Sequence, residues 1–195
     1  MGKLVVSEFV TLDGVMQDPG GAEPFDRGGW AFRFDRGAEG DKFKLDEILA
    51  AEALLLGRVT YEGFATAWPS RTDKVGFAAR MNDMPKYVAS STLERAEWSN
   101  SKLISGDLAA EVSELKQRTA GEILVNGSCQ LAGTLIEHDL VDEYRLMVFP
   151  VILGDGKRLF GAAAAARPVR LLDSKQAGEC LILVYQREAP ERGGD

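Results

Sequence analysis

The stretch Leu54-Leu55-Leu56-Gly57-Arg58 carries the first sign of chemistry in this chain. Three consecutive leucines read as a short strand buried on both faces. Val59, Tyr61, Phe64 and Trp68 then recur at roughly helical spacing until Pro69. A strand that feeds a helix through Gly-Arg sets free backbone N–H groups and a fixed cation at the helix N-terminus, a place where phosphate binds well. The residues match neither G-x-x-x-x-G-K-[ST] nor G-x-G-x-x-G. The competing reading is an ordinary strand-to-helix turn with Arg58 solvated. Two further strand ends share the pattern: Ser90 runs into Ser91-Thr92, and Val125 into Asn126-Gly127-Ser128. In an open α/β sheet, ligands lie beyond the carboxyl ends of the strands. Small residues there let backbone approach a phosphate, hydroxyls donate to it, and Arg58 supplies charge. Taken together, the three ends favour a phosphate-rich dinucleotide.

The elements that must position these residues are legible in outline. Residues 3–10 form a first strand, broken at Thr11-Leu12-Asp13-Gly14. Residues 15–40 are a long loop containing Phe25, Trp30, Phe32 and Phe34, read as a lid or pocket wall, or as a loop whose aromatics plug the core edge. Asp41 caps a helix through residue 52 with Phe43, Leu45, Ile48 and Leu49 inward. After the triple-leucine strand come a short helix within 70–85, strands at 86–90 and 102–105, a helix over 108–119, a strand at 122–125 and a helix over 129–137. The last third is β-rich, with strands at 142–150, 169–172 and 179–187 and a turn at Ala177-Gly178. Residues 161–167 are alanine-rich and only weakly assigned, and 188–195 read as a flexible tail. The order implies one α/β domain over residues 1–187: three layers, a mainly parallel central sheet, and an antiparallel β segment at one side.

Composition narrows the function. In 195 residues, 45% are hydrophobic and 27% charged, an ordinary globular balance for a single domain. The formal net charge of -7 argues against a nucleic-acid partner, which needs a basic surface to displace counterions. No apolar run is long enough to span a bilayer, and no signal-peptide core opens the chain, so no membrane partner and a cytoplasmic location are expected. Cys129 and Cys180 form no C-x-x-C pair and read as buried free thiols. His138, the single histidine, falls at a helix C-terminus, so a histidine-based metal site or triad has little support and no metal is expected.

The chain resembles the dihydrofolate reductase-like superfamily, and within it the branch of the reductase domain of the riboflavin-biosynthesis deaminase/reductase. The resemblance spans about residues 3–187. It rests on Thr11-Leu12-Asp13-Gly14, on Gly57-Arg58-Val59-Thr60-Tyr61-Glu62 and on Lys86-Tyr87-Val88-Ala89-Ser90. Further along it rests on Val125-Asn126-Gly127-Ser128 and on Pro150-Val151-Ile152-Leu153-Gly154-Asp155-Gly156. It implies a dihydrofolate reductase-like fold, NADPH as cofactor, hydride transfer to a pterin-like or ribosylaminopyrimidine-like substrate, and a homodimer. Carried over by position, Gly57, Arg58 and Thr60 hold cofactor phosphates. Ser90 and Ser91 sit near the 2′-phosphate, and Gly127, Ser128 and Cys129 pass the pyrophosphate. Asp13 lies beside nicotinamide and substrate.

The chain also departs from that branch. Asn126 stands where those reductases usually carry an acidic residue before a Gly-Gly pair, and no zinc-binding deaminase domain is expected ahead of this one. True dihydrofolate reductases set a carboxylate of the first long helix against the substrate ring; Asp41, Asp46 and Glu47 are all candidates here. Asp13 is expected to act as the proton donor, with Trp30 and neighbouring aromatics excluding water and desolvation raising its pKa. The alternative for Asp13 is a turn-forming Asp-Gly. The alternative function is a nucleotide- or flavin-binding protein of the same fold without turnover. Because Tyr144, Leu146 and Val148 alternate with Arg145, Met147 and Phe149, both faces of the long strand carry apolar groups, and one is expected to be covered in a dimer.

Overall fold

The computed structural model describes residues 1–161 and 166–188. In chain order its elements are β1 (Lys3–Thr11), a 3₁₀ turn (Trp30–Arg33), α1 (Gly37–Ala50), β2 (Ala51–Gly57), α2 (Arg58–Ala67), α3 (Phe77–Asp83) and β3 (Lys86–Ala89). They continue with β4 (Ser101–Ile104), α4 (Leu108–Arg118), β5 (Glu122–Val125), α5 (Cys129–Glu137), β6 (Glu143–Phe149), β7 (Val169–Ala177) and β8 (Cys180–Arg187). The eight strands form one sheet in the order β4-β3-β2-β5-β1-β6-β8-β7. From β4 to β6 every neighbouring pair is parallel; β8 and β7 then add on antiparallel. This is the expected three-layer α/β architecture.

The two faces of the sheet follow from alternation along the strands. Leu4, Val6, Leu55, Ile123 and Val125 pack against Val112 and Leu115 of α4 and against Leu131, Leu135 and Ile136 of α5. Val5, Leu54, Leu56, Val88 and Leu124 pack on the other side with Ile48 of α1, Tyr61 of α2 and Met81 of α3. All three leucines of β2 are fully buried, as the sequence implies. Truncating any of them to alanine removes about 2–5 kcal/mol. A third cluster, Trp30 with Met147, Phe149, Cys180 and Ile182, fills the space between the long loop and β6–β8.

Two elements differ from the sequence expectation. Helix α1 begins at Gly37 rather than Asp41, because Asp35 Oδ1 accepts the Gly37 N–H at 2.7 Å and starts the turn early. Asp41 instead pairs with Arg36 at 2.6 Å on the exposed side. Strand β7 runs on to Ala177, past the expected end at Leu172, after a register shift between Leu171 and Asp173. Residues Asp173 to Gln176 are polar and mostly exposed, so no hydrophobic alternation announces them before the buried Ala177. The expectation of a mobile tail lies almost wholly outside the described residues, as does most of the alanine-rich stretch. Among the described residues, no helix is long and apolar enough to cross a membrane.

Candidate functional site

The parallel strands end together on one side of the sheet, and β1 outruns its neighbour. Val6 is the last β1 residue paired to β5, opposite Val125, while Ser7 to Thr11 pair only with β6. Beyond Val6 the place of β5 is taken by the turn Asn126-Gly127-Ser128, whose Asn126 Nδ2 donates to Ser7 O at 2.9 Å; this is the carboxyl end of the strands, where ligands of an open α/β sheet enter the crevice. Gly57, the last residue of β2, donates its N–H to the Gly127 carbonyl at 3.2 Å. The approach needs glycine on both sides: a Cβ on Gly57 would lie 2.2 Å from Ser128 Oγ, and one on Gly127 would lie 2.6 Å from Thr60 Oγ1. Gly127 also has φ +68, a conformation that side chains disfavour. The Gly127–Ser128 peptide bond is cis. Helix α2 starts at Arg58 and α5 at Cys129; the N-cap Gly57 has no side chain, and the Ser128 hydroxyl accepts no N–H of the first turn of α5. Two helix N-termini therefore converge on one contact with their leading N–H groups uncapped.

Arg58 stands at this point on α2. Its guanidinium meets Glu62 at 3.0 Å, and the two side chains are 45% and 47% exposed. A pair so exposed contributes at most about 1 kcal/mol. The register Gly57↔Ala89 makes Ser90 the neighbour of Arg58 across the strand ends. Ser90 Oγ accepts the N–H groups of Thr92 and Leu93 at 3.2 and 2.9 Å, so it shapes the turn while its own hydroxyl hydrogen stays available. Ser91 is exposed beside it.

Ser7 and Glu8, the first β1 residues past β5, face opposite sides of the sheet. Ser7 is buried; its hydroxyl lies 2.8–2.9 Å from both Glu47 oxygens and accepts from Lys44 Nζ at 3.0 Å. Lys44 and Glu47 also form an ion pair. Glu47 is thus the carboxylate that α1 turns inward, whereas Asp46 is exposed and paired to Lys42. On the other side Glu8, 8% exposed, accepts the Gly127 N–H through Oε1 at 2.5 Å. Burial pushes its carboxyl up to about 8, against the pull of that hydrogen bond and of Lys44.

Asp13 and Trp30 depart from their expected roles. Asp13 Oδ1 accepts from Thr11 Oγ1 at 2.6 Å and from Leu153 N at 3.2 Å; Oδ2 accepts from Gly154 N at 2.8 Å, with Arg158 at 3.5 Å. These donors, Thr11 foremost, hold its carboxyl near 2 rather than raising it. A carboxylate that stays ionised has no proton to give near neutral pH, so Asp13 clamps the loop after β6 to the end of β1. Trp30 is fully buried, donates Nε1–H to Gln17 O at 2.8 Å and packs edge-on against Phe149 at 5.3 Å. It pins the long loop to the core and offers no surface to a substrate.

Residues 2–183 match the family model of the RibD C-terminal domain. The chain belongs to that family. Among its relatives, YwjB, an uncharacterized protein of Bacillus subtilis (strain 168), is 27% identical over 185 residues, covering 95% of this chain and 98% of the relative. A putative riboflavin biosynthesis protein from Shewanella sp. PV-4 superposes with a TM-score of 0.75 at 20% identity, over 96% of this chain and 99% of the other. Dihydrofolate reductase from Enterococcus faecalis, solved with NADP(H), gives 0.58 at 16% identity, over 96% and 97%. The fold is therefore dihydrofolate reductase-like.

In this RibD-type domain Gly57, Arg58, Thr60, Gly127, Ser128 and Cys129 come together, with Ser90 and Ser91 one strand away. Cys129, half-buried rather than buried as expected, heads α5, and its Sγ donates to Arg158 O at 3.2 Å; burial first, then the Glu8 carboxyl, raises its pKa. Sequence reasoning missed Ser7, Glu8 and Lys44. The available signal was two polar residues interrupting an otherwise apolar β1. Among the described residues, no group of His, Cys, Asp and Glu could hold a metal ion.

Proposed function

We propose that the protein is an NADPH-dependent reductase that acts on a pterin-like or ribosylaminopyrimidine-like compound. The observation that carries this reading is the meeting of two uncapped helix N-termini at the Gly57–Gly127 contact, with Arg58 beside them. The donor set fits a dinucleotide: backbone N–H groups of α2 and α5 for the pyrophosphate, Arg58 and Thr60 for its charge, and the Ser90 and Ser91 hydroxyls for a further phosphate. The family membership and the NADP(H) complex of the Enterococcus faecalis neighbour support the same choice. When bound, the cofactor supplies the hydride, which leaves the protein to position the two rings and manage a proton.

A second reading, binding of a nucleotide or flavin without turnover, draws on Asp13, whose ionised state removes the proton donor expected from sequence. Thermal melts of the chain with NADPH, NADH and FMN separate the readings. A ligand that binds only the folded state adds about 2.7 kcal/mol at a hundredfold excess over its dissociation constant. Stabilisation by NADPH above NADH, with consumption of NADPH on addition of a pyrimidine or pterin substrate, is the expected result. Stabilisation by FMN alone would replace the first reading with the second.

A further inference from the structure

Among the described residues, Glu8 is the carboxyl hydrogen-bonded to the turn on which both helix N-termini converge. It is buried where β1 outruns β5, and Gly127, whose N–H it accepts, is the residue before Ser128, the N-cap of α5. Oε1 takes that N–H. Oε2 receives no donor among the described residues. The charged and titratable groups around Glu8 are few. Helix α1 presents Lys44 and Glu47, which lie on the other side of β1 and are paired with each other; α5 presents Cys129. Lys44 is thus spoken for, and among the described residues no cation is bonded to the Glu8 carboxyl. An ionised Glu8 would put an unpaired negative charge under backbone donors that the proposed function assigns to a pyrophosphate.

We propose that Glu8 makes anion binding in the crevice proton-dependent: the phosphates of a dinucleotide dock when its carboxyl carries a proton and are rejected when it does not. This rests on the reading of the crevice as a dinucleotide site. At neutral pH the buried acid is mostly protonated, its hydroxyl free to donate and its carbonyl oxygen still accepting from Gly127. As pH rises through about 8 the carboxylate forms and opposes the incoming anion. By linkage a bound anion raises the affinity of Glu8 for its proton, so binding above that point is accompanied by proton uptake.

The test is calorimetric titration of the full chain with NADPH between about pH 7 and pH 9.5, where the ligand's own phosphates keep a constant charge because their second ionisation lies near 6. The wild type is expected to lose affinity by about tenfold or more over this range and, in buffers of different ionisation enthalpy, to take up a proton on binding. Glu8→Gln keeps the acceptor for Gly127 and imitates the protonated form, so it should bind as the wild type does at the lower pH and remain flat. Without ligand, the same variant should melt above the wild type at the alkaline end, because a carboxyl whose folded pKa is raised costs stability as pH climbs. A flat wild-type profile, or a fall shared equally by Glu8→Gln, overturns the role of Glu8 and leaves the cofactor reading standing. Absence of NADPH binding at every pH overturns both. If Glu8→Gln fails to fold, the proton uptake of the wild type decides alone.

Discussion

Arg58 is held by a single exposed carboxylate, Glu62, and is free to turn from it toward a phosphate. Arg58→Ala is expected to weaken NADPH by about 1.5–3 kcal/mol, the range for a charge-assisted hydrogen bond. Calorimetric titration checks this, and unchanged affinity in a folded variant would remove Arg58 from the site. Asp13 leads to a different outcome. Its folded pKa of about 2 lies below its ordinary 3.8, so its contribution to stability is complete above the ordinary value and is lost as pH falls through 2. Asp13→Asn should therefore lower stability at pH 7 by about 1–3 kcal/mol. The gap from the wild type should close in acid melts, and NADPH affinity should be retained. Parallel melting curves down to the lowest pH would refute the clamp. The contrast marks what a sequence can disclose about a residue. Gly57-Arg58 was legible because its meaning is local, a strand passing into a helix. Asp13 was not, since its backbone donors Leu153 and Gly154 lie 140 and 141 residues away. Nor was Glu47 separable from Asp41 and Asp46 until the phase of α1 against Ser7 was known.

At the scale of elements, β2–α2 and β5–α5 are joined through backbone, not through long side chains. The Gly57 N–H bonds Gly127 O, and each glycine faces a hydroxyl of the other unit. Gly57→Ala should both lower the melting temperature and abolish NADPH binding, since its Cβ meets Ser128 Oγ at 2.2 Å and Ser128 Cβ at 2.9 Å. Adding Ser128→Gly removes both of those atoms and should recover part of the stability. A Gly57→Ala variant that melts and binds like the wild type would show the approach to be unnecessary. Most elements were readable for the same reason as the leucine strand: β5 and α5 carry their periodicity and their turn residues within a few positions. Trp30 was misread because an aromatic in a glycine-rich loop fits a lid and a core plug equally well. Only the placement of Phe149 beneath it decides the matter.

For the whole molecule, the expected reason for a dimer changes. Both faces of β6 are covered within the chain: Tyr144 and Leu146 by the α4–α5 cluster, Met147 and Phe149 by the Trp30 cluster. Uncovered apolar surface lies instead on the antiparallel edge, at Val169, Leu171, Leu172 and Leu181, each 42–49% exposed. A homodimer, the assembly implied by the resemblance, would bury this edge. Light scattering at micromolar concentration should give twice the chain mass, and Leu171→Glu with Leu181→Glu should return it to a monomer. A wild-type monomer would dispose of the interface.

The place of β5 in the sheet bears on how the chain is made. Its four residues carry both the ladder to β2 and the ladder to β1, and they are translated after both of those strands. A chain leaving the ribosome thus holds β1 and β2 with their facing edges open until residues 122–125 emerge to bridge them. Open edges of this kind attract pairing with other chains. Substitutions at Ile123 or Leu124, both fully buried, should therefore cost yield during synthesis as well as stability in the finished protein. In this architecture the keystone is laid late.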